Sequence, residues 1–524
     1  VGKHGYFVRG VGDDGDGIDD YFLRFEANKG SGFDSGVWVE TVAPGVRTNL
    51  DASTMPHKLV RQPDGNFTFE RVDWGSREAG DLETSPWPSF VGRTISDMYY
   101  DRNRLCVLAD DDVVMSRARN LFSFFRETVT TLLDSDPIDV AAVGSKVSQL
   151  RYAVPFNKKI VLFSDQTQFV IEDEDLLASR PPAAKEINAY EIDEGAPPVA
   201  VGKTIYFGVK SGGYSRVMEY YVMPESELTD ASDVTAHVPR YIPQGVFKLA
   251  ASSSSDVVLA LSRIKPDHVY AYKYHWRRDE KLQSSWSEWK VREGAKVLNV
   301  DFIADEAIFV VQYDDGVYLE KLQLSGDDLE IDEDFVVRLD RLVTDEDVTT
   351  LYDTNTGRTT VTLPYHPDED TVRFVTRRGR DDAFEPYQLQ TVDSVSGNQI
   401  VVLGDFTSRP FYVGENYTFE YTFSKPVLSI PSQMGGMAEV VAGRLQLNRW
   451  WVVFQKTGYF RAEVTASNGE TYVYPYTGQV IGTGQATVGF GGVQDGEHKF
   501  RVNSDARKAT VSIINDSYMP DYLT

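Results

Sequence analysis

Short runs of β-branched and aromatic residues, broken by Gly, Asp, Asn and Pro, fill most of the chain. Such runs read as strands joined by tight turns. Five apolar cores stand out in the middle of the sequence. They are RLCVLADDDVVMS around Leu105, KIVLFSDQTQFVI around Ile160, TIYFGVKSGGYSRVMEYYV around Ile205, VVLALSRIKPDHVYAYKYHW around Val257 and IFVVQYDDGVYLEKLQL around Ile308. Their successive spacings are 55, 45, 52 and 51 residues. Each is a strand, a polar turn and a second strand. Antiparallel hairpins repeating every ~40–50 residues point to propeller blades. A stacked sandwich of the same hairpins is the alternative left open. Helical periodicity is scarce. Its best candidate is 117–133, and that segment is rich in β-branched residues, which lowers helix propensity.

The pattern divides the chain into four parts. Residues 1–95 form an N-terminal β region, with YFLRFEA and GVWVETV as a hairpin and then a Pro/Trp segment, TSPWPSFVG. Residues 96–330 hold the repeats. After the acidic stretch SGDDLEIDEDF, residues 331–430 read as an inserted β domain, and 431–524 as a C-terminal β region. The expected class is all-β, with a propeller-like core of repeated antiparallel hairpin blades and additional β domains.

One stretch, YAYKYHWRRDEKLQSSWSEWKV (270–291), mixes aromatics with cations as a nucleic-acid-stacking surface would. Strand periodicity argues otherwise. Alternate residues share a face, so Tyr270, Tyr272, Tyr274 and Trp276 line one side, and Val269, Ala271, Lys273 and His275 the other. The odd separation of Trp286 and Trp289 puts them on opposite faces. The aromatics are thus expected to pack a blade, and Arg277–Lys281 to be a solvated charged turn, with Asp279 and Glu280 offsetting its cations.

The chain of 524 residues has 41% hydrophobic and 12% aromatic residues, an ordinary globular composition. No apolar run reaches the ~18 residues that suggest a membrane span, and no leader-like segment is seen. With 79 acidic and 53 basic residues, its formal charge is −26. A surface of that sign repels phosphate, so tight neutralising binding to DNA is not expected, whereas passage of DNA without retention is compatible with it. The single Cys106 excludes an internal disulfide framework and reads as a buried structural thiol in Leu105-Cys106-Val107-Leu108.

Motifs that imitate chemistry fail on spacing. VGDDGDGIDDYF carries five aspartates in eight residues. With Asp14 and Asp16 as first and third ligands of a calcium loop, the fifth position is Ile18 and the required Gly is Asp19. Gly202-Lys203-Thr204 mimics the end of a phosphate-binding loop, but Pro197 stands where its first glycine belongs, and a strand follows. The seven histidines show no ligand spacing. Asp110-Asp111-Asp112 falls where the repeat needs a turn. Arg377-Arg378-Gly379-Arg380, followed by Asp381-Asp382, reads as a surface turn or a docking contact. No catalytic, cofactor-binding or metal-binding residues are assigned, and neither enzymatic activity nor a cofactor is expected.

Several strings nonetheless resemble one family. They are TMPHKLVRQPDGNF (54–67), SPWPSFVG (85–92), DRNRLCVLADDDVVMSRARNLFSFF (101–125), SDPIDVA (135–141), YAVPFNKKIVLFSDQTQFVI (152–171), HVPRYIPQGVF (237–247), LQSSWSEW (282–289) and GRLQLNRWWV (443–452). In that order they resemble the tail nozzle proteins of short-tailed bacteriophages, the tail tubular protein B family. The resemblance implies a structural virion protein at the tail tip. It implies a homo-hexameric ring, contacting a tail adaptor of the tubular protein A type and the tail fibres. It also implies transient passage of double-stranded DNA through the channel, with no membrane span. Members of the family carry a substantial N-terminal portion before the hairpin at 18–42, and this chain lacks it. The chain is therefore expected to be a fragment, or the ordered part, of a longer protein, residues 1–95 being the remnant of a longer N-terminal part. Two other readings stay open: a propeller that binds or hydrolyses glycans, needing a carboxylate pair in an aromatic-lined cleft, and a monomeric scaffold for a protein partner.

Overall fold

The computed structural model describes all residues except 12–19, 145–148, 157–158, 172–183, 223–228, 278–279, 325–334, 379–385, 432–436, 440–444, 479–491 and 524. The chain forms two compact units, Val1–Leu324 and Ser325–Thr524.

The first unit begins with a three-stranded sheet of Phe7–Gly10, Tyr21–Ala27 and Gly36–Thr41, in which the expected hairpin pairs Phe25 with Trp38. A two-stranded ribbon follows, His57–Arg61 against Phe67–Arg71. Five sheets then succeed one another along the chain. The first holds Ile95–Asp101, Arg104–Ala109, Asp112–Met115 and Ile138–Ala141. The second holds Leu150–Phe156, Lys159–Ser164, Gln168–Ile171 and Lys185–Asn188. The third is Val199–Val201, Thr204–Ser211, Tyr214–Val222 and Thr229–Asp233, and the fourth Val246–Ser252, Val257–Ser262, His268–Arg277 and Glu280–Lys290. The fifth has three strands, Lys296–Ile303, Glu306–Gln312 and Val317–Gln323. Every sheet is an antiparallel meander in chain order, and the first strand of each lies against the first strand of the next.

Burial explains why the central strands read as unbroken apolar runs. Ile160 and Leu162 pack with Cys106, Leu108 and Val113 of the first sheet. Their neighbours Val161 and Phe163 pack with Ile205 and Phe207 of the third. Tyr206 turns the other way, onto Val258, Ala260 and Tyr272 of the fourth. Leu259 and Leu261 in turn meet Val297, Ala307 and Phe309 of the fifth. Sheets two to four are thus covered on both faces by their neighbours in sequence. A two-sheet sandwich buries one face of each sheet, whereas propeller blades stack by both. The architecture is all-β with a propeller-like succession of blades. The five apolar cores are the second and third strands of these sheets; the more polar first and fourth strands did not announce themselves.

The segment 117–133 is a correction to the sequence reading, since it forms turns and extended loop instead of a helix. Phe124 and Phe125 are buried, and side chains from elsewhere hold the backbone. The Glu40 carboxylate accepts from Val129 N (2.8 Å) and from Thr128 Oγ1 (2.5 Å). Arg104, itself buried, donates to the carbonyls of Ser116 (2.6 Å), Asp134 (2.8 Å) and Asp136 (2.7 Å). Those tertiary bonds outcompete a helix of β-branched residues.

The second unit is also built of antiparallel sheets. One joins Asp340–Thr344, Phe411–Glu415, Val372–Thr376 and Leu389–Gln390, and another Thr349–Asp353, Arg358–Thr362, Gln399–Leu403 and Val392–Ser396. A third joins Phe419–Thr422, Thr510–Asn515, Phe460–Thr465 and Thr471–Tyr476, and it packs Phe460, Val464 and Ile513 on Phe454 and Phe500.

Candidate functional site

The aromatic stretch divides as its alternation predicts. Tyr270, Tyr272 and Tyr274 sit in the core between the third and fourth sheets, whereas Val269 and Ala271 sit in the core between the fourth and fifth. Trp286 packs against the former and Trp289 against the latter. A register shift falls between His275 and Trp276, and Trp276 is left 42% exposed.

Lys281 is the exception. Placed in a solvated turn by sequence, its side chain is only 17% exposed and forms an ion pair with the buried Glu219 of the third sheet. The strand resumes at Glu280, and Trp276 faces Lys281 across the ladder, so the ammonium lies 4.8 Å from the centre of the Trp276 ring. Lys281 Nζ also donates to Tyr272 Oη (3.3 Å), and Tyr272 Oη shares a hydrogen bond with Ser284 Oγ (2.9 Å). On the other carboxylate oxygen Glu219 accepts from Tyr206 Oη at 2.8 Å. Burial, and then the Glu219 charge, push the Tyr206 phenol well above its usual pKa. Glu219 and Lys281 form a charged clamp between two blades, filled out with phenols, and a buried charge needs such partners. Arg278 and Asp279 lie outside the described residues.

The other motifs fall where their turn readings put them. Asp110, at φ +52°, and Asp111 close the hairpin between Arg104–Ala109 and Asp112–Met115. Arg93 gathers the triplet, pairing with Asp111 (3.1 Å), Asp112 and Asp110 (3.9 Å). Desolvation raises the Asp112 pKa, and the Arg93 charge opposes it. Gly202 (φ +59°) and Lys203 are the turn between two paired strands, and the strand Thr204–Ser211 follows them. Cys106 is fully buried, and burial pushes its thiol up to about 12. The aspartate-rich loop 12–19, the acidic stretch 325–334 and Gly379 to Asp382 lie outside the described residues. Arg377 is described, with its guanidinium 5.3 Å from the centre of the Tyr412 ring.

Two concavities bear on the glycan alternative. The first, of about 690 Å³ in the second unit, is lined by Gln446, Asn448, Arg449, Trp451, Arg501 and Asn503, with no carboxylate. The second, of about 410 Å³ in the first unit, has Asp110 and Glu194 on its wall. There Arg151 pairs with Glu194 at 3.0 Å, and the one aromatic, Tyr152, donates its hydroxyl to the Glu194 carbonyl at 2.5 Å. Neither is an aromatic-lined cleft offering an acid pair. Among the described residues no cluster of three His, Cys, Asp or Glu could hold a metal ion.

Fold and surfaces together define a repeat-built all-β protein with a buried charged pair set between two of its blades. The chain belongs to the bacteriophage nozzle protein family, whose profile it matches from residue 1 to 524, and this makes it a structural protein of the phage tail. It is 30% identical over 534 aligned residues to the tail tubular protein gp12 of Escherichia phage T7. The match covers 99% of this chain and 65% of that protein, so the chain spans just under two thirds of its relative's length. Among solved structures, Hsv2p of Kluyveromyces lactis aligns at 10% identity and TM-score 0.30, over 62% of this chain and 88% of that one. A putative 6-phosphogluconolactonase from Bacteroides uniformis aligns at 11% and TM-score 0.30, over 61% of this chain and 95% of that one.

Proposed function

We propose that the protein assembles as a homo-hexameric ring at the distal end of the tail, where it forms the conduit and gate for genome ejection into the host. Its partners in this reading are a tail adaptor of the tubular protein A type, the tail fibres and, transiently, double-stranded DNA. The observation that carries the proposal is the family match across the whole chain, through both compact units. The excess of acid, 79 residues against 53 basic, supports a wall along which phosphates slide without sticking. Screening limits such repulsion to charges within ~8 Å of the duplex at physiological salt. The finer division into 1–95, 96–330, 331–430 and 431–524 belongs to the same proposal, as does the absence of catalysis. The two cavities give the glycan reading no better support, and no helix among the described residues is long and apolar enough to cross a membrane.

The test is the native mass of the protein, with negative-stain imaging of the same sample, alone and with an adaptor ring. Sixfold rings with a central opening are expected. A strict monomer beside a preformed adaptor would defeat the proposal.

A further inference from the structure

The ribbon His57–Arg61/Phe67–Arg71 stands outside the five successive sheets of the first unit. Its two strands pair with each other and with no other strand among the described residues. It leaves the core at Met55 and Val72, both buried, and turns at Pro63-Asp64-Gly65-Asn66, where Gly65 adopts φ +86°. The register pairs His57 with Arg71, Leu59 with Phe69 and Arg61 with Phe67, so these six residues share one face. On that face Leu59 is 64%, Phe67 60% and Phe69 72% exposed. An isolated two-stranded ribbon is marginal in water. Three large apolar side chains on one face of it mark a surface completed by something else.

Charge identifies the occupant. Residues 57–71 carry Lys58, Arg61 and Arg71 against Asp64 and Glu70, a small cationic excess in a chain of net charge −26. Asp64 is spent within the turn, accepting from Asn66 N (3.0 Å) and Nδ2 (2.9 Å), and Lys58 pairs with Glu70 (2.9 Å). Arg61 and Arg71 flank an apolar patch in an otherwise acidic chain, with Arg71 within electrostatic reach of Asp51. A second copy of this chain offers the complement. Its net charge of −26 supplies acid for the arginines, and the outer face of its fifth sheet exposes Ile303, Val317 and Leu319. Duplex DNA would satisfy the arginines but leave Leu59, Phe67 and Phe69 in water.

We propose that this ribbon is an intersubunit contact, its Leu59/Phe67/Phe69 face docking on a neighbouring copy of the same chain. A ring requires such a heterologous contact, repeated around the axis. The inference rests on the ring reading and names the surface that closes the ring.

Two measurements test it. In the first, Leu59→Ser, Phe67→Ser and Phe69→Ser are combined, and ring formation is followed against protein concentration. The three positions are exposed, so an unchanged melting profile is expected, with assembly requiring at least about tenfold more protein. In the second, Phe69→Cys carries a benzophenone maleimide; Cys106 is buried, so the label goes to the introduced thiol. Photolysis of assembled protein is expected to join two chains. Rings that form at the wild-type concentration in the triple variant, or cross-links confined to one chain, overturn the inference while leaving the ring intact. Cross-links that appear only to added duplex DNA overturn it in favour of a nucleic-acid contact. A wild-type protein that forms no ring defeats the ring reading and this inference together.

Discussion

At the residue scale the decisive pair is Glu219 and Lys281. Removing one member strands the other as a buried charge, the costly way to break such a pair. Lys281→Met is expected to destabilise the first unit by roughly 2–4 kcal/mol, somewhat less than for a fully buried pair. The double variant Glu219→Gln/Lys281→Met should recover most of that loss. Denaturant titration of the single and double variants checks it, and additive losses would contradict the clamp. A second residue sets a pH dependence. Burial raises the carboxyl of Asp521 from 3.8 to about 6, against weaker opposing effects of Asn515 and Arg338. Its folded pKa lies above the unfolded one, so the folded state holds the extra proton between about pH 4 and 6. Stability of the second unit therefore falls as pH rises through that window. Asp521→Asn should stabilise the protein by roughly 2–3 kcal/mol at pH 7, an advantage that vanishes below about pH 4. Melting curves across pH 4–8 test this, and a gap independent of pH would refute it.

At the element scale the loop 117–136 shows how tertiary bonds overrule a local pattern. Arg104 gathers three of its flanking carbonyls and Glu40 two of its donors. Hydrogen bonds from a charged group contribute about 1.5–3 kcal/mol each. Arg104→Met should therefore open the loop. Limited proteolysis is expected to cut within 117–136 in the variant and to spare the wild type. Equal resistance of the two would place the restraint elsewhere. The central strands teach the complementary lesson. Their apolar runs lack alternation because both faces are buried, as Ile160 and Val161 illustrate by entering different cores.

At the scale of the whole molecule, charge and assembly come together. A protein of net charge −26 is expected to release duplex DNA at physiological salt, with a mobility-shift assay near ~0.15 M showing no stable complex. Retention that weakens steeply with added salt would mean that phosphates are being neutralised, and the sliding picture would fail. The predicted ring and the ribbon contact belong to this scale as well, because neither is visible within one chain.

The amino-acid sequence alone determined what depends on neighbours a few positions apart. It showed strands, turns such as Asp110-Asp111 and Gly202-Lys203, the two-sided split of Tyr270 to Trp276, a lone buried thiol and the sign of the net charge. Family strings were legible too, because they are local words in order. Tertiary structure decided what depends on residues brought together from far along the chain. Lys281 became a buried partner because Glu219 lies 62 positions away on the next sheet. The segment 117–133 stayed unwound because Glu40 and Arg104 reached it from outside. The ribbon at 57–71 was not singled out by its local pattern, and only the folded chain shows Leu59, Phe67 and Phe69 left in water. Alternation assigns side chains to faces, but what covers a face is set by another sheet, and no local pattern encodes that.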